Sequence, residues 1–349
     1  MLSSKKKLQP KNTDSEEESA SEYNSEEESF NYVESPPPSF AASRRKDLVF
    51  YIDFHDGYAF RQIMEFLKLT VTSVPMYFTE NGISILQGNG DGSLVVSINI
   101  KGHELLTYYF NPDLANFPKK ASTTVLPKPD EESKSYHIVC FNVSKFRDTI
   151  KSTARKEGIR IFQYAGDPTV HIQIYGGNKN GEGGTSIETQ TYTPLNYDLS
   201  GFEQSILSPN CKSPLSEFCN SCGNFGKVKS TKYTNFSCYR GGVKVTACSE
   251  TGVISMFKKW GECDDEPDHP FRSSVPRLKI SESSKTGSKI VHNVKIPIDI
   301  VKALSKLSNL TNNGIIRIYC EEDKIIRFMV SVSYYAELVI YWKEPEGEM

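Results

Sequence analysis

From residue 47 onward the chain switches repeatedly between two hydrophobic periods. Phe60, Ile63, Met64 and Leu67 recur at i, i+3, i+4 and i+7, which lines one side of a helix and predicts one over 57–69. Arg61, Glu65 and Lys68 fall on its opposite side. The neighbouring runs DLVFYIDF (47–54), PMYFT, GISILQ, SLVVSINI and ELLTYYF are rich in β-branched and aromatic residues. They read as strands, with Asn81-Gly82 as a hairpin turn.

The alternation then recurs. A second predicted helix, 144–157, turns Val143, Phe146 and Ile150 inward and Arg147, Lys151 and Arg155 outward. GIRIFQYAGDPTVHIQIYG (158–176) reads as a hairpin and TSIETQTYT (185–193) as a strand. A third helix over 215–229 buries Leu215, Phe218, Cys219, Cys222 and Phe225, and the strands NFSCYRG, VKVTACS and GVISMFKKW (252–260) follow it. In a fourth, 298–309, Ile300, Val301, Leu304 and Leu307 face inward and Lys302 and Lys306 outward, before GIIRIYCE, IIRFMVSV and AELVIYW. Each half therefore reads strand, helix, strands, helix, strands, a duplicated α+β architecture.

These patterns divide the chain into an acidic, Ser-rich tail (1–46), a first domain (47–190), a connector (191–204), a second domain (205–343) and a short acidic end (344–349). The tail holds the near-repeats SEEESASE and SEEESFN and few aliphatic residues, a composition expected to remain disordered. Polar insertions interrupt the domains at 118–135 and 262–289.

Charge sharpens the picture. The formal net charge is −2, but the four predicted helices together carry 11 Lys and Arg against 5 Asp and Glu. The rest of the chain from residue 47 is correspondingly acidic. Cationic helices on an anionic sheet scaffold imply one surface that faces a polyanion while the remainder avoids it.

Other chemistries find less support. No apolar run is long enough to span a bilayer, and the N-terminal residues have no apolar core of a secretory signal. An intracellular setting is expected, with the eight cysteines as reduced thiols. Cys219 and Cys222, with Cys211, Cys238 and Cys248, are zinc candidates, but their i, i+3 spacing on an apolar helix side fits buried core thiols. Six scattered histidines form no nucleophile–base pattern, and the glycine-rich stretches 88–92 and 176–184 lack the Lys-Ser/Thr of a phosphate loop. No enzyme activity, cofactor or metal is expected.

Five stretches carry a resemblance: DGYAFRQIMEFLKL, NGISILQGNGDGSLVVSINI, CYRGGVKVTACSETGVISMFK, PIDIVKALSKLSNL and AELVIYW. In order and spacing they resemble the sliding clamps of the proliferating cell nuclear antigen family, which tether DNA polymerases to duplex DNA. The resemblance spans roughly 47–343. It implies a DNA-clamp fold of two similar domains, each with two helices packed on sheets, closing head to tail as a ring-shaped homotrimer.

It further implies that Arg61, Lys68, Arg147, Lys151, Arg155, Lys227, Lys302 and Lys306 meet duplex DNA without reading its sequence. Asn220 and Gly223 stand where the family usually carries Arg. The implied partner-peptide pocket comprises Gly88, Val95, Leu195, Tyr197, Leu199, Ile340 and Tyr341, with Trp342 and Lys343 replacing the usual small residues. The implied subunit contact pairs Ile187, Thr189 and Thr191 with Ile254 and Met256 of the next copy. Expected partners are a DNA polymerase, other replication and repair proteins and a clamp loader, in the nucleus or at a viral replication site. The alternatives are one subunit of a heterotrimeric checkpoint clamp and a monomeric processivity factor.

Overall fold

A computed structural model of the chain describes residues 47–118, 135–176, 184–190, 208–228, 231–239, 241–248, 254–262, 292–311, 314–321 and 325–345. The tail 1–46, the connector and most of both insertions lie outside these residues. In the first half, β1 (Leu48–Phe54) leads into α1 (Gly57–Thr70), then β2 (Ser73–Thr79), β3 (Gly82–Gly88), β4 (Leu94–Lys101), β5 (Thr107–Phe110), β6 (Phe117–Pro118) and β7 (Ser135–Asn142). Helix α2 (Val143–Ile150) and strands β8 (Gly158–Tyr164), β9 (Thr169–Tyr175) and β10 (Gly184–Glu188) follow. The second half runs β11 (Cys211–Pro214), α3 (Leu215–Phe225), β12 (Tyr233–Cys238), β13 (Gly241–Cys248), β14 (Ile254–Glu262), β15 (His292–Pro297), α4 (Ile298–Leu304), β16 (Ile315–Glu321), β17 (Ile325–Val332) and β18 (Ala336–Lys343).

The strand orders of the halves match. The first contributes β10-β9-β8-β1 and β4-β3-β2-β7, the second β18-β17-β16-β11 and β14-β13-β12-β15. In each half the last strand and the fourth strand sit at the ends of their ladders. Within the chain β18 pairs with β4, fusing both halves into one nine-stranded sheet, β11-β16-β17-β18-β4-β3-β2-β7-β6. The other two sheets stay separate: five strands ending at β10 and four ending at β14.

The apolar helix stripes account for this packing. Phe60, Ile63, Met64 and Leu67 of α1, Phe146 and Ile150 of α2, Phe218 and Phe225 of α3, and Val301 and Leu304 of α4 are all buried in a shared core. Ile300 is half-buried and packs at its margin. At the head of α1, Asp56 Oδ1 accepts the Ala59 N–H at 3.0 Å, satisfying a donor that the first turn leaves open. Asp56 Oδ2 accepts the Ser333 hydroxyl at 3.0 Å, so the β17–β18 turn of the second half is fastened to the first helix of the first.

The structure corrects several expected boundaries. α2 stops at Ile150 rather than 157, because Arg61 Nη1 donates to the carbonyls of Lys151 (3.2 Å) and Thr153 (2.7 Å) and pulls the chain into a turn. The Glu157 carboxylate accepts the Ala154 N–H at 2.8 Å, and its carbonyl accepts the Gly57 N–H at 3.2 Å, completing that turn against α1. α3 ends at Phe225 rather than 229, where a Cβ on Gly226 would stand 2.8 Å from Lys302 Cγ. α4 ends at Leu304 and continues to Asn309 as a 3-10 turn. The β2–β3 connection is centred on Glu80-Asn81. Gly82 already lies in β3 with φ 146°, where any side chain would collide with the Ile100 carbonyl.

The thiol expectation also fails at one place. Cys238 of β12 and Cys320 of β16 form a disulfide with Cα atoms 6.3 Å apart. They are separated by 82 residues, and only the stacking of two sheets brings them together. Cys140, Cys211, Cys219 and Cys222 are buried thiols outside any disulfide.

Candidate nucleic-acid interface and partner surface

Helix α1 packs on α2, α3 packs on α4, and α1 also meets α4 and the 3-10 turn after it. The four helices thus form one contiguous layer, with its apolar side in the core and its polar side outward. All eight basic residues named from the sequence lie on this outward side or at the helix ends. Two circumstances separate them.

The first is pairing. Arg61 Nε lies 3.3 Å from Glu65 Oε1, Arg147 Nη2 3.7 Å from the same oxygen, Arg147 Nη1 2.9 Å from Asp148, and Lys68 Nζ 3.9 Å from Asp148. Lys302 Nζ lies 3.1 Å from Asp299. The hydrogen bond from Arg147, reinforced by the charges of Lys68 and Lys151, holds the Asp148 carboxyl below its usual range. This carboxylate therefore stays ionised at neutral pH and offsets part of the cationic surface. Lys151, Arg155, Lys227 and Lys306 are exposed and make no ion pair among the described residues.

The second is position. Arg61 is held by two carbonyls of the turn after α2, so much of its donor capacity is structural. Its guanidinium lies 4.7 Å from the centre of the Tyr58 ring, and that of Arg155 lies 5.5 Å from the same ring. Tyr58 thus gathers Arg61 and Arg155 beside Lys151. Sequence reading missed Tyr58, which stands off the apolar stripe, and the exposed Lys145 and Lys156 of the same region. The visible signal for both lysines was their place in the basic run 145–156.

The outward side of the nine-stranded sheet carries the second candidate region. Register places Gly88 opposite Val95 and Val95 opposite Tyr341, so these three meet on one face. Val95, Ile325, Val339 and Tyr341 form a small apolar cluster, with Leu86 and Met329 against it. Ile340 does not join them; it points to the opposite face, into the main core. Leu195, Tyr197 and Leu199 lie outside the described residues. Leu86, Ile325, Met329 and Val339 were missed, although their alternation with core positions on the same strands marks them.

Two of the sheet-end strands are the counterparts of β18 and β4. Among the described residues β10 pairs with β9 alone, and β14 with β13 alone. Ile187 of β10 points into the core, while Thr189 lies beyond the strand end and bonds the Pro168 carbonyl through its N–H (3.1 Å) and hydroxyl (2.8 Å). Ile254 begins β14, Met256 packs against the core, and Phe257 beside it is 56% exposed. Thr191 lies outside the described residues. The acidic-scaffold expectation needs correction here, since the outward side of β13, β14 and β15 carries Lys244, Lys259 and Lys295.

A cleft of about 470 Å³ near β10 is lined by His137, Gln163, Asp167 and Thr189 among others. His137 Nε2 is 2.9 Å from Gln163 Oε1, and its Nδ1 accepts the Asn116 N–H at 3.3 Å. Acceptance at Nδ1 requires the neutral imidazole, and burial lowers the His137 pKa against the opposing effect of the Gln163 hydrogen bond. Cys219 and Cys222 face the core, and burial pushes the Cys219 thiol up to about 12. Among the described residues no three metal-ligating side chains gather.

The repeated strand order, the helix layer and the fused sheet together match solved structures. A crystal structure of proliferating cellular nuclear antigen from Entamoeba histolytica superposes with a TM-score of 0.59 at 12% identity, covering 85% of this chain and 99% of that one. The chain has the sliding-clamp fold. A crystal structure of the PCNA2–PCNA3 complex from Sulfolobus tokodaii gives a TM-score of 0.58 at 11% identity, covering 84% of this chain and 98% of the other. No protein-family model matches the sequence, and no curated protein matches it in sequence. The clamp likeness thus rests on backbone, at an identity where side chains have been almost wholly replaced.

Proposed function

We propose that the protein is a non-enzymatic DNA sliding clamp that closes with further copies of itself and encircles duplex DNA. The observation that carries this reading is the unmatched duplicate of the β18–β4 junction. The ladder Val139–Met76–Ile85–Ile98 of the first half corresponds to Val294–Phe236–Val245–Lys258 of the second. Likewise Ile52–Ile161–Ile172–Thr185 corresponds to Cys211–Ile318–Phe328–Ile340. Ile340 pairs with Val96 within the chain; their counterparts, Thr185 and Met256, stand on two open edges.

Joining β10 of one copy to β14 of the next would build a second nine-stranded sheet from five strands and four. The same register sets Gly184 against Phe257; beyond Met256 the β14 ladder shifts, with Met256 opposite Ala247 and Ile254 opposite Cys248. This joining covers both of these edges, and a head-to-tail contact of this kind generates a ring where the rotation between copies closes. The exposed Phe257 gains cover in that arrangement.

Inside such a ring the helix layer faces the duplex. Lys151, Arg155, Lys227 and Lys306 supply phosphate contacts, and the acid-paired Lys68, Arg147 and Lys302 supply weaker ones. Contacts of this kind carry no base information, so retention comes from encirclement. The apolar cluster around Tyr341 and Val95 takes a partner peptide with aliphatic and aromatic anchors, from a polymerase or another replication or repair protein. A loader that opens the ring and a location at sites of DNA replication belong to the same reading.

Cysteines introduced by Gly184→Cys and Phe257→Cys test it directly, because residues opposite each other in an antiparallel pair bring their Cβ atoms within disulfide reach. The expected product is a closed, covalently linked trimer that stays on circular duplex and slides off linear duplex. Equal retention on both, or no inter-copy linkage, would refute encirclement. A second reading has one supporting observation: the Sulfolobus structure is a complex of two different clamp chains, so non-identical partners could complete the same edges. Light scattering on the pure protein separates the two, with a trimer favouring self-assembly and a monomer the mixed ring.

A further inference from the structure

We infer that the partner peptide docking on the Tyr341–Val95 patch carries an acidic stretch beyond its apolar anchors, directed toward β16 and β11. This rests on the docking reading above and adds the chemistry of the partner. On the outward side of the nine-stranded sheet the patch ends at Val339 and Met329, which are register partners. Met329 is opposite Arg317, and Arg317 is opposite Lys212 on the sheet's last strand. The patch, which holds the buried Arg327 opposite Tyr341 with its guanidinium 4.1 Å from the Tyr319 ring centre, therefore runs into two further cations set side by side.

Like charges directly opposite in an antiparallel pair repel, and nothing among the described residues relieves this pair. Neither Lys212 nor Arg317 makes an ion pair among the described residues. Glu337 lies on the same face, but opposite Ser331 and Asn99, two strands from Arg317 and one step further along. Among the described residues this leaves an unbalanced positive corner at the rim of the patch. A bound carboxylate there would gain from both cations at once, whereas a lysine or arginine would meet added repulsion.

The sheet geometry fixes the spacing. Neighbouring strands lie about 4.8 Å apart, so Arg317 is roughly 10 Å and Lys212 roughly 14 Å from β18. An extended peptide covers about 3.3 Å per residue. Its acidic residues are therefore expected about three to five positions from the last anchor.

Fluorescence polarisation of the full chain with two labelled peptides provides the test. They share one core of an aliphatic and two aromatic anchors and differ only in a following Glu/Asp or Lys/Arg tetrapeptide. The acidic version is expected to bind roughly fivefold tighter at low salt, the order two exposed ion pairs supply. That advantage is expected to shrink toward unity near 0.5 M salt. The double variant Lys212→Glu/Arg317→Glu is expected to reverse the preference, and the salt series on the unmodified protein tests the same point without any variant. Equal binding of both peptides, or preference for the basic one, would overturn the acidic assignment and leave the patch standing. Failure of both peptides to bind at all would remove both readings.

Discussion

The two junctions of this chain share a backbone plan and differ in almost every side chain. Where β18 meets β4, the outward face carries Val95, Val339, Tyr341, Met329, Leu86 and Ile325. The corresponding positions at the open edges are Ser255, Gly184, Ser186, Gln173, Thr246 and Thr169. On the inward face Ile98 matches Lys258, which reaches Glu217 of α3 at 2.7 Å. One junction is mostly apolar on both sides, with Arg327 buried opposite Tyr341, and is closed within the chain. The other is mostly polar outside, Phe257 apart, as a surface must be if it is to exist both free and joined. The difference also explains why this apolar cluster has no counterpart among the described residues although the architecture repeats.

The largest expected effect lies at the closed junction. Ile98→Ala should cost about 2–5 kcal/mol, since it opens a cavity where both halves share a core. Lys258→Ala, at the duplicate position, should change stability by no more than about 1 kcal/mol, because its ion pair is partly exposed. Urea denaturation of both variants measures this; equal losses would mean that the junctions are not energetically distinct. Next in size, Phe257→Ser should weaken assembly about tenfold in dissociation constant without altering the melting of the separated chain, read by sedimentation at several concentrations. An unchanged association would remove β14 from the contact.

Asp56→Ala should cost about 1 kcal/mol by removing the helix cap of α1, and it also cuts the link to Ser333. Amide exchange should then rise in both the first turn of α1 and the β17–β18 turn; a rise in α1 alone would show that the halves are not fastened there. For the helix layer, replacing Lys151, Arg155 and Lys306 by Ala should lower the salt dependence of DNA binding more than replacing Lys68, Arg147 and Lys302. Each unpaired cation releases its own counterion, while the paired ones are already partly neutralised.

The smallest effect concerns His137. Its folded pKa lies below the ordinary value of 6.5 because burial disfavours the charged ring. Near and below pH 6.5 the unfolded chain therefore binds a proton that the folded one resists, and stability falls as pH drops through that window. Above it the contribution is fully present. His137→Gln should flatten this part of the stability profile in thermal melts from pH 7.5 to 5; an unchanged slope would show that another group titrates.

Much of this was readable before any coordinates. The stripe Phe60, Ile63, Met64, Leu67 specified α1 almost to the residue, because period and burial are both local. α2 was misjudged by a full turn and more, since what stops it is Arg61, some ninety residues away in the chain. The basic residues were legible as a class, but not their partition into paired and unpaired groups, which depends on Glu65 and Asp148 facing them across two helices. Ile340 shows a subtler limit. Adjacent residues of a strand face opposite sides, and only the register with β4 and β17 tells which side holds Tyr341.

By itself, then, the amino-acid order determined the elements, their duplication and the concentration of positive charge on the helices, all consequences of short-range periodicity. Tertiary structure alone decided which last strand finds a fourth strand within the chain, which cations remain unpaired, and that Cys238 meets Cys320. Those outcomes depend on contacts between residues far apart in sequence, where the spacing of one segment carries no information about the position of another.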